Sequence, residues 1–165
     1  IATTGQTEEE MDMIRAAAQK IPVFYSANYS LGVALLVELA KKAAAAMPDA
    51  DIEIVEKHHN RKVDAPSGTA LMIANAIQTV RRGTQLLLGR SGMAKREPNE
   101  IGIHAVRMGN IIGEHEVLIG TDSQTITIKH EAHSRSLFAE GAVAAAEYLS
   151  DIKEPGIYNM YDMLK

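Results

Sequence analysis

The sequence predicts an α+β fold in which a mixed, mostly antiparallel sheet carries helices on one face. Three observations support this prediction: helical and strand periodicities alternate in the first part of the chain, three successive segments of period two follow, and glycine-containing turns separate those segments. At 165 residues, the chain has the length of one domain and part of another.

Helices alternate with short strands in the first half. Thr7 with Glu10 forms a capping-box pattern at the start of the first helix, and Pro22 ends that helix before a short apolar strand. The strand that starts at Asp51 alternates apolar and acidic residues, which indicates one buried face and one polar face. The predicted helices cover residues 7–21, 31–47 and 69–80, and the predicted strands cover 23–25 and 51–57.

Strand periodicity dominates the second half up to a final helix. Residues 84–100 are predicted to form a loop. Gly109-Asn110 and Gly120-Thr121-Asp122 are turn signals, so we expect the three strands that they separate to form a meander. These strands cover residues 101–108, 111–119 and 124–131, and the final helix extends to Leu149.

Composition and charge argue against several classes of function. The net charge of −4 disfavours a nucleic-acid partner, since phosphate binding requires a basic surface. The absence of cysteine excludes disulfides, thiolate metal sites and a cysteine nucleophile. Glu38, Lys41 and Lys42 interrupt the longest apolar run, so no membrane-spanning helix is expected. The chain begins at Ile1 rather than at a methionine, so we expect it to be part of a longer protein.

Residues 56–69 contain the densest concentration of reactive side chains in the sequence. Adjacent His58 and His59 follow a strand, where neighbouring side chains point to opposite sides, so one imidazole can face a reacting group while the other binds the substrate. Histidine is the most common general acid or base because it titrates near neutral pH. Lys62, four residues after His58, adds a fixed positive charge within reach of the same site.

The same stretch predicts an anion site at the start of the third helix. Ser67, Gly68 and Thr69 open this helix, and the first backbone amides of a helix bind carboxylates or phosphates because they lack acceptors within the helix. The basic side chains of residues 58–62 concentrate positive charge in an otherwise acidic chain. We therefore expect the site to hold a carboxylate and to protonate or polarise an adjacent group.

Structural and metal-binding interpretations remain open at this point. A histidine pair at a strand end is often structural, a Ser-Gly-Thr helix start is often only a cap, and a basic run can be a solvated surface. Further histidines could ligate a metal, yet no two lie at i, i+4 beside a carboxylate, and structural zinc without cysteine is uncommon. We therefore predict no metal site. The further histidines are His104, His115, His130 and His133.

Two loops near the start of the chain are candidates for a second ligand site. Ala2-Thr3-Thr4-Gly5 and Ser26-Ala27-Asn28-Tyr29-Ser30 are predicted at equivalent ends of successive strands, where open α/β sheets present their ligand contacts. The α/β segments at the two ends of the chain lack a partner sheet. We therefore expect an α+β domain inserted into a nucleotide-binding fold, most of which lies outside this sequence.

The motif Glu-x-His-His-x-x-Lys-x-Asp-Ala-Pro-Ser-Gly-Thr-Ala at residues 56–70 resembles the signature of the dihydrodipicolinate reductases, also named 4-hydroxy-tetrahydrodipicolinate reductases. The motif is long and specific, and the resemblance extends across the whole chain. Other matching segments, in family order, are Ala2-Thr3-Thr4-Gly5, Ser26-Ala27-Asn28-Tyr29-Ser30, Ile101-Gly102, Gly113-Glu114-His115 and Phe138-Ala139-x-Gly141-Ala142.

The resemblance implies a cytoplasmic oxidoreductase of the diaminopimelate route to lysine, which uses NADH or NADPH to reduce a cyclic dicarboxylate to tetrahydrodipicolinate. It implies that His58 is the catalytic acid or base, that Lys62 is its cationic catalytic partner, and that the sheet assembles a homotetramer. The residue pattern and the resemblance together give the substrate-binding residues as His59, Lys62, Ser67, Gly68 and Thr69. The cofactor-binding residues that the resemblance implies are Ala2, Thr3, Thr4, Ser26, Ala27, Asn28 and Tyr29.

The front of the chain departs from the family pattern, because the family's glycine-rich strand-turn-helix for the pyrophosphate is not found and Ala2 stands where glycine is usual. We therefore expect partial Rossmann-type segments around residues 30–134, the substrate-binding and tetramerisation domain. Residues 1–29 would be a remnant of the dinucleotide-binding domain and 135–165 a return to it.

The isolated chain is expected to be inactive. The alternatives are a stand-alone dicarboxylate-binding or oligomerisation module without catalysis, and a metal-dependent hydrolase.

Overall fold

The computed structural model describes residues 1–165, which divide into two compact units. The first unit comprises residues 1–35 and 135–165, and the second comprises residues 36–134. The helices are α1 (Glu8–Ala18), α2 (Leu31–Ala46), α3 (Gly68–Val80) and α4 (Ser136–Asp151), with a short 3-10 helix at Asp162–Leu164. The strands are β1 (Pro22–Phe24), β2 (Asp51–His58), β3 (Gln85–Leu88), β4 (Glu100–Arg107), β5 (Glu114–Thr121), β6 (Gln124–Glu131) and β7 (Gly156–Tyr158).

The first unit is built around the parallel pair of β1 and β7. The predicted capping box starts α1: the amide of Glu10 donates to the Thr7 hydroxyl, and the amide of Thr7 donates to the Glu10 carboxylate. Aromatic rings form much of the core of this unit, because the ring of Phe24 contacts those of Tyr29 and Tyr148. The buried residues of this core are Phe24, Tyr29, Ala34, Ala145 and Met160.

The second unit contains a five-stranded sheet in the order β3-β4-β2-β5-β6. Strand β2 pairs in parallel with β4 and antiparallel with β5, while β3 is parallel to β4 and β6 is antiparallel to β5. The predicted mixed sheet of an α+β fold is confirmed. Its central strand is β2, the strand that leads into the predicted reactive stretch.

The sheet differs from the sequence prediction in two respects. The prediction of a three-stranded meander is wrong, because β2 lies between β4 and β5. Of the three predicted strands, only β5 and β6 form a hairpin. Strand β4 favours an interior position because Ile101, Gly102 and Ile103 are all buried. The predicted loop at 84–100 contains β3, whose four residues add to the free edge of β4. Such a short apolar run is ambiguous by periodicity alone.

One face of the central strand forms the core of the second unit. Ile52 and Ile54 are buried, and in register they lie beside Ile101 and Ile103 of β4 and beside Val117 and Ile119 of β5. The inward side of α3 packs on this strand and is formed by Ala70, Ile73, Ala74 and Ile77, all fully buried.

Further along the same face, the side chains become polar while remaining buried. Glu56 and His58 continue the inward alternation of β2, with Ala105 and His115 beside Glu56 and Arg107 beside His58. The polar end of this face lies where β2 stops and α3 begins. No helix of the structure combines the length and hydropathy that a membrane span requires.

Candidate active site

The carboxylate of Glu56 is the centre of the polar cluster at the end of β2. Its side chain is fully buried, and three different elements donate hydrogen bonds to it. Arg107 of β4 donates to both oxygens, at 2.8 Å to Oε2 and 2.7 Å to Oε1. The backbone amide of Ser67, just before α3, donates to Oε1 at 3.0 Å, and Nδ1 of His58 lies 2.6 Å from Oε2.

These contacts keep Glu56 ionised despite its burial. Burial by itself raises the pKa of this carboxyl, but the hydrogen bonds from Arg107, His58 and Ser67 outweigh it, so the pKa is lowered. A buried charge is tolerated when it is paired and its hydrogen-bonding capacity is used. The Glu56 carboxylate is therefore a paired charge that also contacts an imidazole, whereas Nε of Arg107 is buried without a hydrogen-bond partner.

The imidazole of His58 is held on one side by Glu56 and faces Gly113 on the other. A carboxylate can only accept, so Nδ1 of His58 donates to Glu56 and Nε2 is the nitrogen that remains for another partner. A Cβ atom at Gly113 would lie 3.1 Å from Nε2, closer than an ordinary contact. Glycine at this position therefore keeps a side chain from crowding Nε2.

A second histidine, His115 of β5, packs beside the first. The ring centroids of His58 and His115 are 5.3 Å apart, and Nε2 of His115 lies 3.0 Å from the Ser67 hydroxyl. Burial, together with the charge of His58, lowers the pKa of His115 to about 4. His115 is therefore neutral at neutral pH, and it holds the serine that caps α3 through the amide of Ala70.

Lys62 lies in the loop between β2 and α3 and is paired with a carboxylate of the same loop. Its Nζ is 2.7 Å from Oδ1 of Asp64, and this hydrogen bond lowers the pKa of Asp64. Arg107 donates to the backbone carbonyl of Asp64, which joins this loop to the Glu56 cluster. The lysine is partly exposed, so a bound carboxylate could take the place of Asp64.

Several of the predicted site residues belong to this one network. His58 and Ser67 are joined through Glu56, Lys62 is adjacent through Asp64, and Gly68 is exposed at the first position of α3. Ser67 uses both its amide and its hydroxyl within the protein. His59 and Thr69 are half-buried on either side of the loop. Their roles in substrate binding stay predictions.

Sequence reasoning assigned no role in the site to three residues of the cluster: Glu56, Arg107 and His115. For Glu56 a signal was present, because alternation along β2 places it on the same buried face as Ile54 and His58. Nothing in the sequence indicated Arg107, since its position depends on a parallel pairing between segments about fifty residues apart. His115 became a neighbour of Glu56 through the antiparallel pairing of β5.

The predicted cofactor residues lie in the first unit, where four of them line one pocket. A pocket of about 330 Å³ is bordered by Ala2, Ala27, Asn28 and Tyr29, together with Phe138 and Ala142 of α4. The alanines leave the space that larger side chains would fill. Helix α4 approaches this loop closely at Gly141, where a Cβ atom would overlap the backbone carbonyl of Tyr29.

The other three predicted cofactor residues do not border this pocket. The Thr3 carbonyl and hydroxyl accept from the side chain of Gln6, and the hydroxyl of Ser26 donates to the carbonyl of Asn28. Thr4 is exposed. No group of three or more histidine, aspartate or glutamate side chains has an arrangement that could hold a metal ion.

Comparison with known proteins identifies the family. The chain matches the family model for "Dihydrodipicolinate reductase, C-terminus" over residues 32–164. It is 52% identical to the 4-hydroxy-tetrahydrodipicolinate reductase of Caldanaerobacter subterraneus subsp. tengcongensis and 48% identical to that of Clostridium perfringens. In both cases the match covers 100% of this chain and 66% of the relative.

A solved structure supports the same relationship. The dipicolinate-bound dihydrodipicolinate reductase from Paenisporosarcina sp. TG-14 is similar with a TM-score of 0.81 and 30% sequence identity, over 99% of this chain and 63% of that one. The family resemblance expected from the motif at residues 56–70 is thus confirmed. The chain belongs to the dihydrodipicolinate reductase family.

Proposed function

We propose that the whole protein is an NAD(P)H-dependent 4-hydroxy-tetrahydrodipicolinate reductase of the diaminopimelate and lysine pathway, and that this chain supplies its substrate site. The observation that carries the proposal is the polar cluster on β2, in which a buried carboxylate holds His58 and the start of α3, with Lys62 in the loop that joins β2 to α3. The names of the relatives and the dipicolinate in the related structure support the same reaction and ligand class.

In this proposal, the second unit binds the dicarboxylate and supplies a proton. Lys62 and the first amides of α3, including that of Gly68, bind the carboxylates, and His59 and Thr69 complete the binding site. In its imidazolium form, protonated on both nitrogens, His58 transfers the Nε2 proton to the ligand and keeps the Nδ1 proton on the hydrogen bond to Glu56. Lys62 exchanges its partner Asp64 for a carboxylate of the ligand.

The first unit contributes part of the cofactor site. The pocket bordered by Ala2, Ala27, Asn28 and Tyr29 has room for a planar ring beside small side chains, which fits the nicotinamide end of NADH or NADPH. The bound cofactor would supply the hydride of the reduction. We propose that residues 1–29 and 135–165 belong to the dinucleotide-binding domain of the whole protein.

Calorimetry of this chain with pyridine-2,6-dicarboxylate tests the substrate site. We expect binding by the native chain and a loss of at least about tenfold in affinity for Lys62→Ala, because a charge-assisted hydrogen bond contributes about 1.5–3 kcal/mol. Lys41→Ala is the matched control, since Lys41 also pairs with a nearby carboxylate, Glu38 at 2.8 Å, and should bind as the native chain does. Equal binding by native and Lys62→Ala chains would remove the site assignment.

An activity assay and an elemental analysis separate the proposal from the two alternatives. A binding module without catalysis would bind the dicarboxylate while the whole protein fails to oxidise NADH or NADPH in the presence of substrate. A metal-dependent hydrolase would contain stoichiometric zinc, which elemental analysis of the purified protein detects.

We further propose that the sheet face opposite α3 assembles a homotetramer. This face carries the half-buried apolar side chains of Val55, Val106 and Leu118. An open sheet face with such residues favours self-association. Sedimentation of the whole protein at micromolar concentration should give a tetramer, and a monomer under those conditions would refute the proposal.

A further inference from the structure

We infer that Glu56 is a positioning residue for His58: its carboxylate holds the imidazole proton on Nδ1, so that Nε2 is the nitrogen that exchanges a proton with the ligand. The inference rests on the proposed function for the identity of the reaction. The tautomer itself is a property of the folded chain and can be measured without any reaction.

The hydrogen bonds at Glu56 fix Glu56 as the acceptor and His58 as the donor of the contact between them. Oε1 accepts from Arg107 and from the backbone amide of Ser67, while Oε2 accepts from Arg107 and from His58. Three of these four hydrogen bonds come from groups that cannot act as acceptors: two come from the Arg107 guanidinium and one from the Ser67 peptide N–H. The only adjustable donor is the imidazole, and beside a carboxylate it must present a proton.

The cluster is protected from water, which strengthens this constraint. Glu56 is 0% exposed and the side chain of His58 is 11% exposed. The ring of His115 packs edge-on against that of His58, and Gly113 lies on its Nε2 side. In a low-dielectric site a charge-assisted hydrogen bond is stronger than in water, so the carboxylate favours the Nδ1–H tautomer strongly.

The opposite face of the same strand carries a cluster of similar composition that serves as an internal reference. Glu53 accepts from Arg96 at 3.1 Å and contacts His104 at 2.8 Å, but here the contacting nitrogen is Nε2 rather than Nδ1. These side chains are also more exposed, at 27% for Glu53 and 36% for His104. The two histidines should therefore carry their protons on different nitrogens in the neutral form.

Replacement of Glu56 by glutamine should reverse the tautomer. The single amide oxygen is required at the Oε1 position, where Arg107 and the Ser67 amide both donate. The amide NH₂ group then occupies the Oε2 position and donates to Nδ1 of His58, which must become an acceptor. The ring proton consequently moves to Nε2, the side that faces the ligand.

Long-range proton–nitrogen NMR correlations of the histidine rings test the inference in this chain, at a pH where imidazole is neutral. We expect native His58 to be protonated on Nδ1 and His104 on Nε2, and Glu56→Gln to move the His58 proton to Nε2. Glu53→Gln, the matched control on the same strand, should leave the His58 signals unchanged. A native His58 protonated on Nε2 would overturn the inference, even if Glu56→Gln failed to fold.

Kinetics of the whole protein then connect the tautomer to the reaction. We expect Glu56→Gln to lower kcat about tenfold or more, with dipicolinate affinity kept within about threefold, because proton transfer is affected and carboxylate binding is not. An unchanged kcat together with a reversed tautomer would overturn the role of Glu56. If the native whole protein shows no reductase activity, the proposed function fails, while the NMR result still decides the tautomer.

Discussion

His58→Gln is expected to lower kcat of the whole protein by about 10²–10⁴-fold, the range that a positioned general acid contributes. Glutamine can still donate to Oε2 of Glu56, so the buried carboxylate keeps its partners and the fold is retained. What the variant loses is the imidazole nitrogen that can exchange a proton on the side facing Gly113. The measurement is the initial rate of NAD(P)H oxidation at saturating substrate.

The matched control for this experiment is His104→Gln. His104 also contacts a carboxylate of β2, that of Glu53, but on the opposite face of the sheet. It should retain kcat within about threefold, as expected for a change outside the site. Dipicolinate binding by His58→Gln should also stay close to native, which separates proton transfer from ligand binding. A loss of kcat smaller than tenfold in His58→Gln would contradict the assignment of His58 as the proton donor.

The second unit is expected to lose stability as the pH falls from 6.5 to 4, and His115 is the main cause. In the unfolded chain this imidazole takes up a proton near its ordinary pKa of 6.5, whereas burial holds the pKa in the fold at about 4. Between these values the unfolded state binds more protons than the folded state, so the free energy of unfolding decreases by up to about 1.4 kcal/mol per pH unit. The total loss is about 3 kcal/mol.

Protonation of Glu56 also decreases the free energy of unfolding, but at lower pH. Its pKa is lowered in the fold, so its stabilising contribution is present above its ordinary pKa and is lost as the pH falls through the folded value. The two groups therefore act in succession, His115 below pH 6.5 and Glu56 in more acidic solution. Protonation of either group disturbs the cluster that holds the start of α3.

Urea unfolding at several pH values, followed by methyl NMR signals of the second unit, measures this effect. Tyrosine fluorescence would not, because all five tyrosines lie in the first unit. His115→Gln keeps a polar contact for the Ser67 hydroxyl and should remove about 3 kcal/mol of the pH dependence. His133→Gln, at an exposed histidine, should leave the dependence unchanged. Equal slopes for native and His115→Gln chains between pH 6.5 and 4 would contradict the prediction.

Local features of this fold were predictable from the sequence because they depend on neighbouring residues. The capping box at Thr7 and the alternation along β2 correctly indicated α1 and the central strand. The motif from Glu56 to Ala70 indicated the family because its reactive residues are contiguous. In each case the physical cause, a cap or a periodicity, is contained within one or two turns of chain.

The features that were not predictable depend on pairing between distant segments. The insertion of β2 between β4 and β5 joins segments that are distant in the sequence, which a period-two pattern does not report. Arg107 joins the site only because this parallel register sets it beside His58. The motif alone therefore contains Glu56, His58 and Lys62 but neither Arg107 nor His115, which complete the cluster.

The position of β2 between two paired strands also sets the order in which the site loses its structure. Amides of a strand paired on both edges open only in large unfolding events, whereas an exposed loop opens in small and frequent ones. His58 directly follows Lys57, the last residue of β2 that is paired on both edges, whereas Lys62 lies in the loop. We therefore expect mild thermal stress to release Lys62 before it displaces the imidazole of His58, so that affinity for a dicarboxylate falls before the proposed proton donor is lost.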